Sequence, residues 1–366
     1  MKNPFSFTAV VDDPAFCNRE TEQKELIRLI EASQNVLLYS HRRFGKTSLI
    51  LKVFNQLKGI TPIYVDLYGT TSIPDFIRAA LAGISAAEPK PQRLMKLVRE
   101  TITSFTASFS LDPVTGLPSV TPQLTPDMKE APLEDVFRLA RAVSTKKKMV
   151  IAFDEFQEVA RYGGDAFEKQ LRKHIQQHQN IAYIFSGSQK HLIMEIFTDV
   201  KRAFYRQAAS FPLDKISSKA YVSWINGLYQ KDNRSIGAEL VYHVIQRCDR
   251  HPAYIQEFFY RLWPEALVSA SLIDKVERRI IRMRMAEFAY AWDSLTLNQR
   301  RALKLIAATG GKSIYSVNNL AAFGFKTPSQ ATTAIAKLIE REFVVKNGTY
   351  QIQDPIFKRW LEIAQS

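Results

Sequence analysis

Four short apolar runs punctuate the first two thirds of the chain: Val36 to Tyr39, "TPIYVDL" (61–67), "MVIAFDE" (149–155) and "IAYIFSGS" (181–188). Between them apolar residues recur every three or four positions, as in "TSLILKVFNQLKG" (47–59). Strands apolar on both faces, alternating with helical periods, predict a parallel sheet covered by helices. Around 104–132 the helical period gives way to Ser, Thr and Pro, which predicts a hairpin inserted in this core with "DPVTG" as its turn. From about 216 to 290 the period is helical throughout ("AYVSWINGLY", "AELVYHVIQRC", "YIQEFFYRLWPEAL"). The last stretch differs again. "NQRRALKLIAATGG" is a helix closed by glycine, "SVNNLAAFG" a short second one, and "TPSQATTAIAKLIEREF" a third with Thr327 as N-cap and Pro328 at its first position. Asn347-Gly348 then joins two β-prone runs, and three helices with a hairpin predict a winged helix. The expected division is an α/β core over 1–215, a helical lid over 216–294 and a winged helix over 295–366.

The first strand runs into "YSHRRFGKTSLI" (39–50), which follows G-x-x-x-x-G-K-[ST] except that Ser40 stands at the first glycine. Gly45 would let backbone amides approach a phosphate, Lys46 would reach its oxygens, and Thr47 would ligate Mg²⁺. The loss of a glycine at position 40 costs on the order of 1 kcal/mol if that residue needs a positive φ. The third strand ends on Asp154 and Glu155, at the edge where ligands bind in open α/β sheets. Asp154 suits a Mg²⁺ shell and Glu155 the polarisation of an attacking water. A base that activates water argues against a small-molecule kinase. Phosphate loop and acidic pair together predict a Mg²⁺-dependent nucleotide hydrolase of the P-loop NTPase fold.

Composition adds modest limits. The 366 residues carry a net charge of +14, which favours an acidic partner but is spread along the chain. No apolar run approaches the ~20 residues of a membrane span, and the N-terminus lacks the layout of a signal peptide, so a cytoplasmic protein is expected. Cys17 and Cys248 lie far apart and read as buried thiols. His174 and His178 share a helical face with no further ligand at metal spacing, which predicts a solvated face. In the third helix of the winged domain, Ser329, Gln330, Thr332, Thr333 and Lys337 suit base edges. Arg300, Arg301, Lys304, Lys312, Lys326, Lys346, Lys358 and Arg359 suit phosphate, so duplex DNA is a candidate partner.

The loop "YSHRRFGKTSL", the strand "AFDEFQEV" and the later "FSGS" resemble the archaeal-type ATPase family, of the STAND class of P-loop NTPases and related to AAA+ origin-recognition initiators. The resemblance implies ATP with Mg²⁺, held by the loop residues Ser40, His41, Arg42, Arg43, Phe44, Gly45, Lys46, Thr47 and Ser48. It makes Ser40 an expected residue and His41, at a position usually proline, a departure. It implies that "FCNRETE" lies near the adenine, with Asn18 and Arg19 in contact. Ser188 matches a polar sensor of the terminal phosphate, and Arg206 a charge stabiliser acting in cis or from a neighbouring subunit. Pro252 matches the proline of a lid element that meets the base, although Arg250 stands where that element has glycine. A protein partner or self-association belongs to the same expectation. No N-K-x-D follows the fourth strand to read guanine.

Overall fold

The computed structural model describes residues 2–363 apart from 89, 112–117, 125–130, 145, 147 and 163. They form two compact units, one of residues 19–214 and one that joins the first 18 residues to 215 and beyond.

The first unit contains strands β1 (Val36–Tyr39), β2 (Ile60–Asp66), β3 (Thr106–Leu111), β4 (Pro118–Gln123), β5 (Lys148–Asp154), β6 (Ile181–Gly187) and β7 (Ala209–Pro212). Five of them make one parallel sheet in the order β2-β5-β6-β1-β7. Its centre follows the pattern: in β6 and in β5 beyond Lys148 every residue is buried. β2 departs from it, with half-buried positions and Pro62, because it is an edge strand whose free side needs no amide. β7 is the strand that the patterning misses; it has four residues and buries only Phe211. It pairs parallel with β1, and at its start Ala209 N–H donates to Asn35 O at 2.8 Å. β3 and β4 pair antiparallel as the inserted hairpin, while the expected turn "DPVTG" lies outside the described residues.

Alternation along the strands divides the apolar residues between the two sheet faces. Leu37 joins a core with Phe76, Phe153, Phe156, Phe185 and Phe204, built from helices Ile73–Ala86, Ala131–Val143, Gly164–Gln176 and Lys190–Thr198. Val36 and Leu38 are equally buried but outside that cluster, as are Leu26, Ile30, Leu49 and Val53 of helices Glu20–Glu31 and Lys46–Phe54. His174 and His178 do not form the expected solvated face. The His174 ring stacks on Phe137, and His178 accepts from Arg141 through Nε2 and meets the buried Tyr183 hydroxyl through Nδ1 at 2.6 Å. An arginine cannot accept, so His178 is held neutral.

The second unit is helical up to residue 293, and its apolar core is continuous from Phe5 and Cys17 through Ile255 and Ile280 to Leu303, Leu338 and Leu361. The first 18 residues, expected in the α/β core, thus pack here: the Phe5 ring meets Trp224, Phe259 and Trp263 at 5.4–5.7 Å. The C-terminal part starts with helix Leu297–Thr309, capped by a reciprocal Thr296–Gln299 box and closed by left-handed Gly310. Helices Val317–Ala322 and Pro328–Glu340 follow, with Thr327 accepting from the Gln330 amide, then the hairpin β8 (Val344–Asn347) and β9 (Thr349–Ile352) around Gly348 at φ 72°. A last helix, Pro355–Ile363, was not foreseen. Its start has the expected chemistry, with Pro355 in the first turn and Asp354 Oδ1 accepting from the amides of Ile356 and Phe357 at 2.8 and 2.9 Å.

That last helix is tied to helix Ala270–Met283 by Glu277. The buried carboxylate takes Arg247 at 3.0 Å and Arg359 at 3.1 Å, while Arg247 also meets Asp274 and Arg359 meets Glu362. Removing the centre of such a group leaves two guanidinium ions facing each other. Glu277→Ala is expected to lower unfolding free energy by about 3 kcal/mol in denaturant titration, more than either arginine replaced alone. His178 supplies a pH test. Burial first, then the charges of Arg141 and His174, push its pKa from 6.5 down to about 4. A depressed histidine pKa contributes stability above the unfolded value and loses it as pH falls through that window. Melting temperature should therefore drop between pH 6.5 and 4, and His178→Gln should flatten that drop.

Candidate nucleotide-binding site

β1 and the helix Lys46–Phe54 are joined by residues 40–45, whose turn is made by Arg43 and Gly45, at φ 60° and 88°. Ser40 has no positive φ, so the missing first glycine carries no backbone penalty. A Cβ built on Gly45 would touch nothing within 4 Å. Glycine is needed there for its conformation and not for want of room. Lys46 is buried. Its Nζ lies 3.3–3.5 Å from Ser40 O, Ser40 Oγ and His41 O, folded onto its own loop. The loop is further shaped by buried Phe44, whose ring meets His41 edge-on at 5.5 Å, and by buried Ser48; Arg42 and Arg43 are exposed. The first turn of the helix holds no acidic residue, so its amides and positive dipole end remain suited to an anion.

Two strands away across β6, β5 delivers Asp154. Its Oδ2 accepts from Thr47 Oγ1 at 2.6 Å and from Tyr64 OH at 2.8 Å, and its Oδ1 takes the Glu155 amide at 3.1 Å. Glu155 then turns left-handed, at φ 53° and ψ 41°, into the short 3₁₀ turn Phe156–Glu158. Glu155 Oε2 accepts from Ser188 Oγ at 2.7 Å, from the Ser188 amide at 3.3 Å and from Gln157 Nε2. Because β6 lies between β5 and β1, Ser188 at its end is placed between the acidic pair and the loop. The structure therefore brings Ser40, Gly45, Lys46, Thr47, Asp154, Glu155 and Ser188 to one edge of the sheet.

It does not bring Arg206 there. Arg206 precedes β7, its neighbour Gln207 O accepts from Asn35 Nδ2 at 3.3 Å, and Ala209 pairs with Val36 at the start of β1. That is the amino edge, opposite the loop, so Arg206 cannot stabilise charge in its own chain's site; its exposed guanidinium rests over Tyr205. Arg19 is left-handed and buried, with Nη1 on Glu22 at 2.7 Å and Nη2 buried without a partner. Asn18 and Pro252 belong to the second unit. Pro252 opens helix Pro252–Leu262, and Arg250 before it adopts φ 56°, so the arginine keeps the backbone conformation that a glycine would favour.

Tyr64, Asp66 and Gln157 escaped the sequence reading. Tyr64 sits on β2 beside β5, in register opposite Ala152. Burial, then the Asp154 carboxylate, raises its phenol pKa well above the ordinary value, so it stays protonated and donates to Asp154. Burial chiefly, helped by Asp154 and Glu155 against the Tyr68 amide, raises Asp66 as well. Yet no three acidic, imidazole or thiolate groups surround one point among the described residues. Thr47 and Asp154 together offer hard oxygen donors of the kind that suit Mg²⁺.

This parallel order, loop and acidic strand end define a P-loop ATPase fold with a C-terminal winged helix. Residues 286–363 match the model of a probable winged helix domain. The Walker-type ATPase PABY2304 of Pyrococcus abyssi superposes with a TM-score of 0.70 at 18% identity, covering 98% of this chain and 99% of its own. The Orc2 protein of Aeropyrum pernix, solved in ADPNP–ADP complexes, gives a TM-score of 0.57 at 12% identity, covering 99% and 97%. No curated protein matches the chain. At such identities the likeness establishes the fold, and it is the fold that the archaeal-type ATPase resemblance implies. Among the described residues no helix is long and apolar enough to cross a membrane.

Tyr64 gives this site a direct test. Tyr64→Phe removes one of two hydroxyl donors to Asp154 Oδ2, and lost outer-shell support of a metal ligand typically weakens the metal about tenfold or more. The Mg²⁺ concentration giving half-maximal nucleotide binding should rise accordingly, with Mg²⁺-free binding unchanged.

Proposed function

We propose that the chain is a cytoplasmic, Mg²⁺-dependent ATPase that uses nucleotide state to set the position of its helical and winged-helix unit. The observation that carries this reading is the Thr47–Asp154 hydrogen bond, which couples the phosphate loop to the acidic strand end. Lys46 would exchange the carbonyls of its own loop for phosphate oxygens, and the amides at the start of its helix would receive the remaining charge. Mg²⁺ bound by Thr47 and Asp154 would supply neutralisation of the phosphate charge. Glu155 takes the proton of the attacking water as the water oxygen bonds to the terminal phosphorus and the bond to ADP breaks. Ser188, hydrogen-bonded to Glu155, would sense the terminal phosphate. Adenine, with Asn18, Arg19 and Pro252 as contacts, rests on the family resemblance. The helical segment and winged helix share one apolar core, which supports their moving as one body. A switch needs ATP and ADP to bind its two arrangements with different affinity.

The second reading is an initiator-like DNA-binding protein with a structural ATP site. It is favoured by helix Pro328–Glu340, which exposes Ser329, Thr332, Thr333 and Lys337. Against it, Arg300, Lys337, Lys358 and Arg359 are engaged within the unit and Arg301 and Lys304 are half-buried, while Lys312, Lys326 and Lys346 are exposed. Steady-state hydrolysis and nucleotide binding, with and without duplex DNA, separate the two. The ATPase reading expects Lys46→Ala to lose binding and Glu155→Gln to bind normally with turnover down about 100-fold or more. Normal hydrolysis by Glu155→Gln contradicts the assignment of the base, and negligible wild-type turnover with tight duplex binding favours the second reading.

A further inference from the structure

Glu155 is held unusually tightly for a group assigned to proton transfer. One of its oxygens, Oε2, receives three donors: the Ser188 hydroxyl, the Ser188 amide and the side-chain amide of Gln157. The residue itself sits in the left-handed region, which only surrounding contacts can impose on a non-glycine side chain. Gln157 is the least obvious of these contacts. It lies in the 3₁₀ turn, and its side chain is about as buried as those of the aromatic core, at 1% exposure. A buried amide that packs nothing better than an apolar group would is costly unless its hydrogen bonds matter.

The fold makes room for that amide at one place. A Cβ on Gly187, the last residue of β6, would meet Gln157 Oε1 at 2.5 Å and Ile193 Cδ1 at 2.4 Å. Glycine at the end of "FSGS" therefore lets Gln157 lie against β6 and reach back to Glu155. Gln157 Oε1 has no hydrogen-bond partner, so the amide is oriented by what its nitrogen does.

We propose that Gln157 is the positioning residue of the hydrolytic site: with Ser188 it holds Glu155 by Oε2, so that Oε1 is presented to the attacking water. This rests on the reading of Glu155 as the base. It assigns the two carboxylate oxygens separate duties, one structural and one reactive. A carboxylate freed of the amide would sample other rotamers and present Oε1 to the water less often.

The test uses the full chain and two variants of nearly unchanged shape, Gln157→Met and Gln157→Glu, beside Glu155→Gln. ATP affinity and kcat are measured for each. Gln157→Met should bind ATP within about twofold of wild type and lose about tenfold or more in kcat. Gln157→Glu, which sets a second carboxylate beside Glu155 in place of a donor, should keep ATP binding and lose kcat at least as far, and it decides the matter if Gln157→Met does not fold. An unchanged kcat in these variants, with Glu155→Gln inactive, overturns the role of Gln157 while leaving Glu155 as base. A faster Gln157→Met overturns it too, since the amide would then restrain Glu155 rather than support it. Full turnover by Glu155→Gln would instead remove the underlying reading.

Discussion

The hydrogen bond from Thr47 to Asp154, 2.6 Å long and 107 residues apart in sequence, is the contact on which the site depends. Thr47 opens the helix that follows β1 and Asp154 ends β5, and β6 runs between those two strands. Only a sheet whose strands all end at one edge can place a helix-opening threonine against a carboxylate two strands away. The apolar layers that pack the sheet against its helices are thus also what sets the distance between the loop of residues 40–45 and the Asp154 carboxylate. Asp154 is the shared centre: it orders Thr47, Tyr64 and, through its own second oxygen, the turn that carries Glu155.

Much of this was legible in the sequence, because the informative residues sit at the ends of strongly apolar strands. Lys46 and Thr47 come from the loop motif between a strand and a helix, and Asp154 and Glu155 from the end of an apolar strand. At Ser40 the motif misleads: it marks a missing glycine, yet the φ there needs none, and the left-handed positions fall on Arg43 and Gly45. Tyr64 and Gln157 were illegible for a different reason. Each acts through a side chain whose partner is fixed by strand register or by a single 3₁₀ turn, and neither carries a local pattern. Arg206 was misplaced because sequence order past the fourth strand does not tell which edge of the sheet a turn occupies; the unforeseen β7 decides it.

The second unit teaches a related lesson about boundaries. Helical periodicity sets the segment before residue 295 apart from the winged helix, and the chain does form helices followed by a winged helix, but their apolar residues merge into one core. Glu277, with Arg247 on one side and Arg359 on the other, pins the final helix to the helical segment. Burial of an ion group of this kind gives little net stability but strongly disfavours separation of its partners. Phe5 adds the amino-terminal segment to the same body, which no composition shift in the first 18 residues announces.

The central claim is that the edge formed by Lys46, Thr47 and Asp154 takes ATP together with Mg²⁺. Equilibrium titration of the full-length chain with a fluorescent, non-hydrolysable ATP analogue, with and without Mg²⁺ and in competition with ATP, ADP and GTP, tests it most directly. The account predicts saturable binding that tightens with Mg²⁺ and is displaced by ATP and ADP but far less by GTP. Absent binding, or binding indifferent to Mg²⁺, would contradict it.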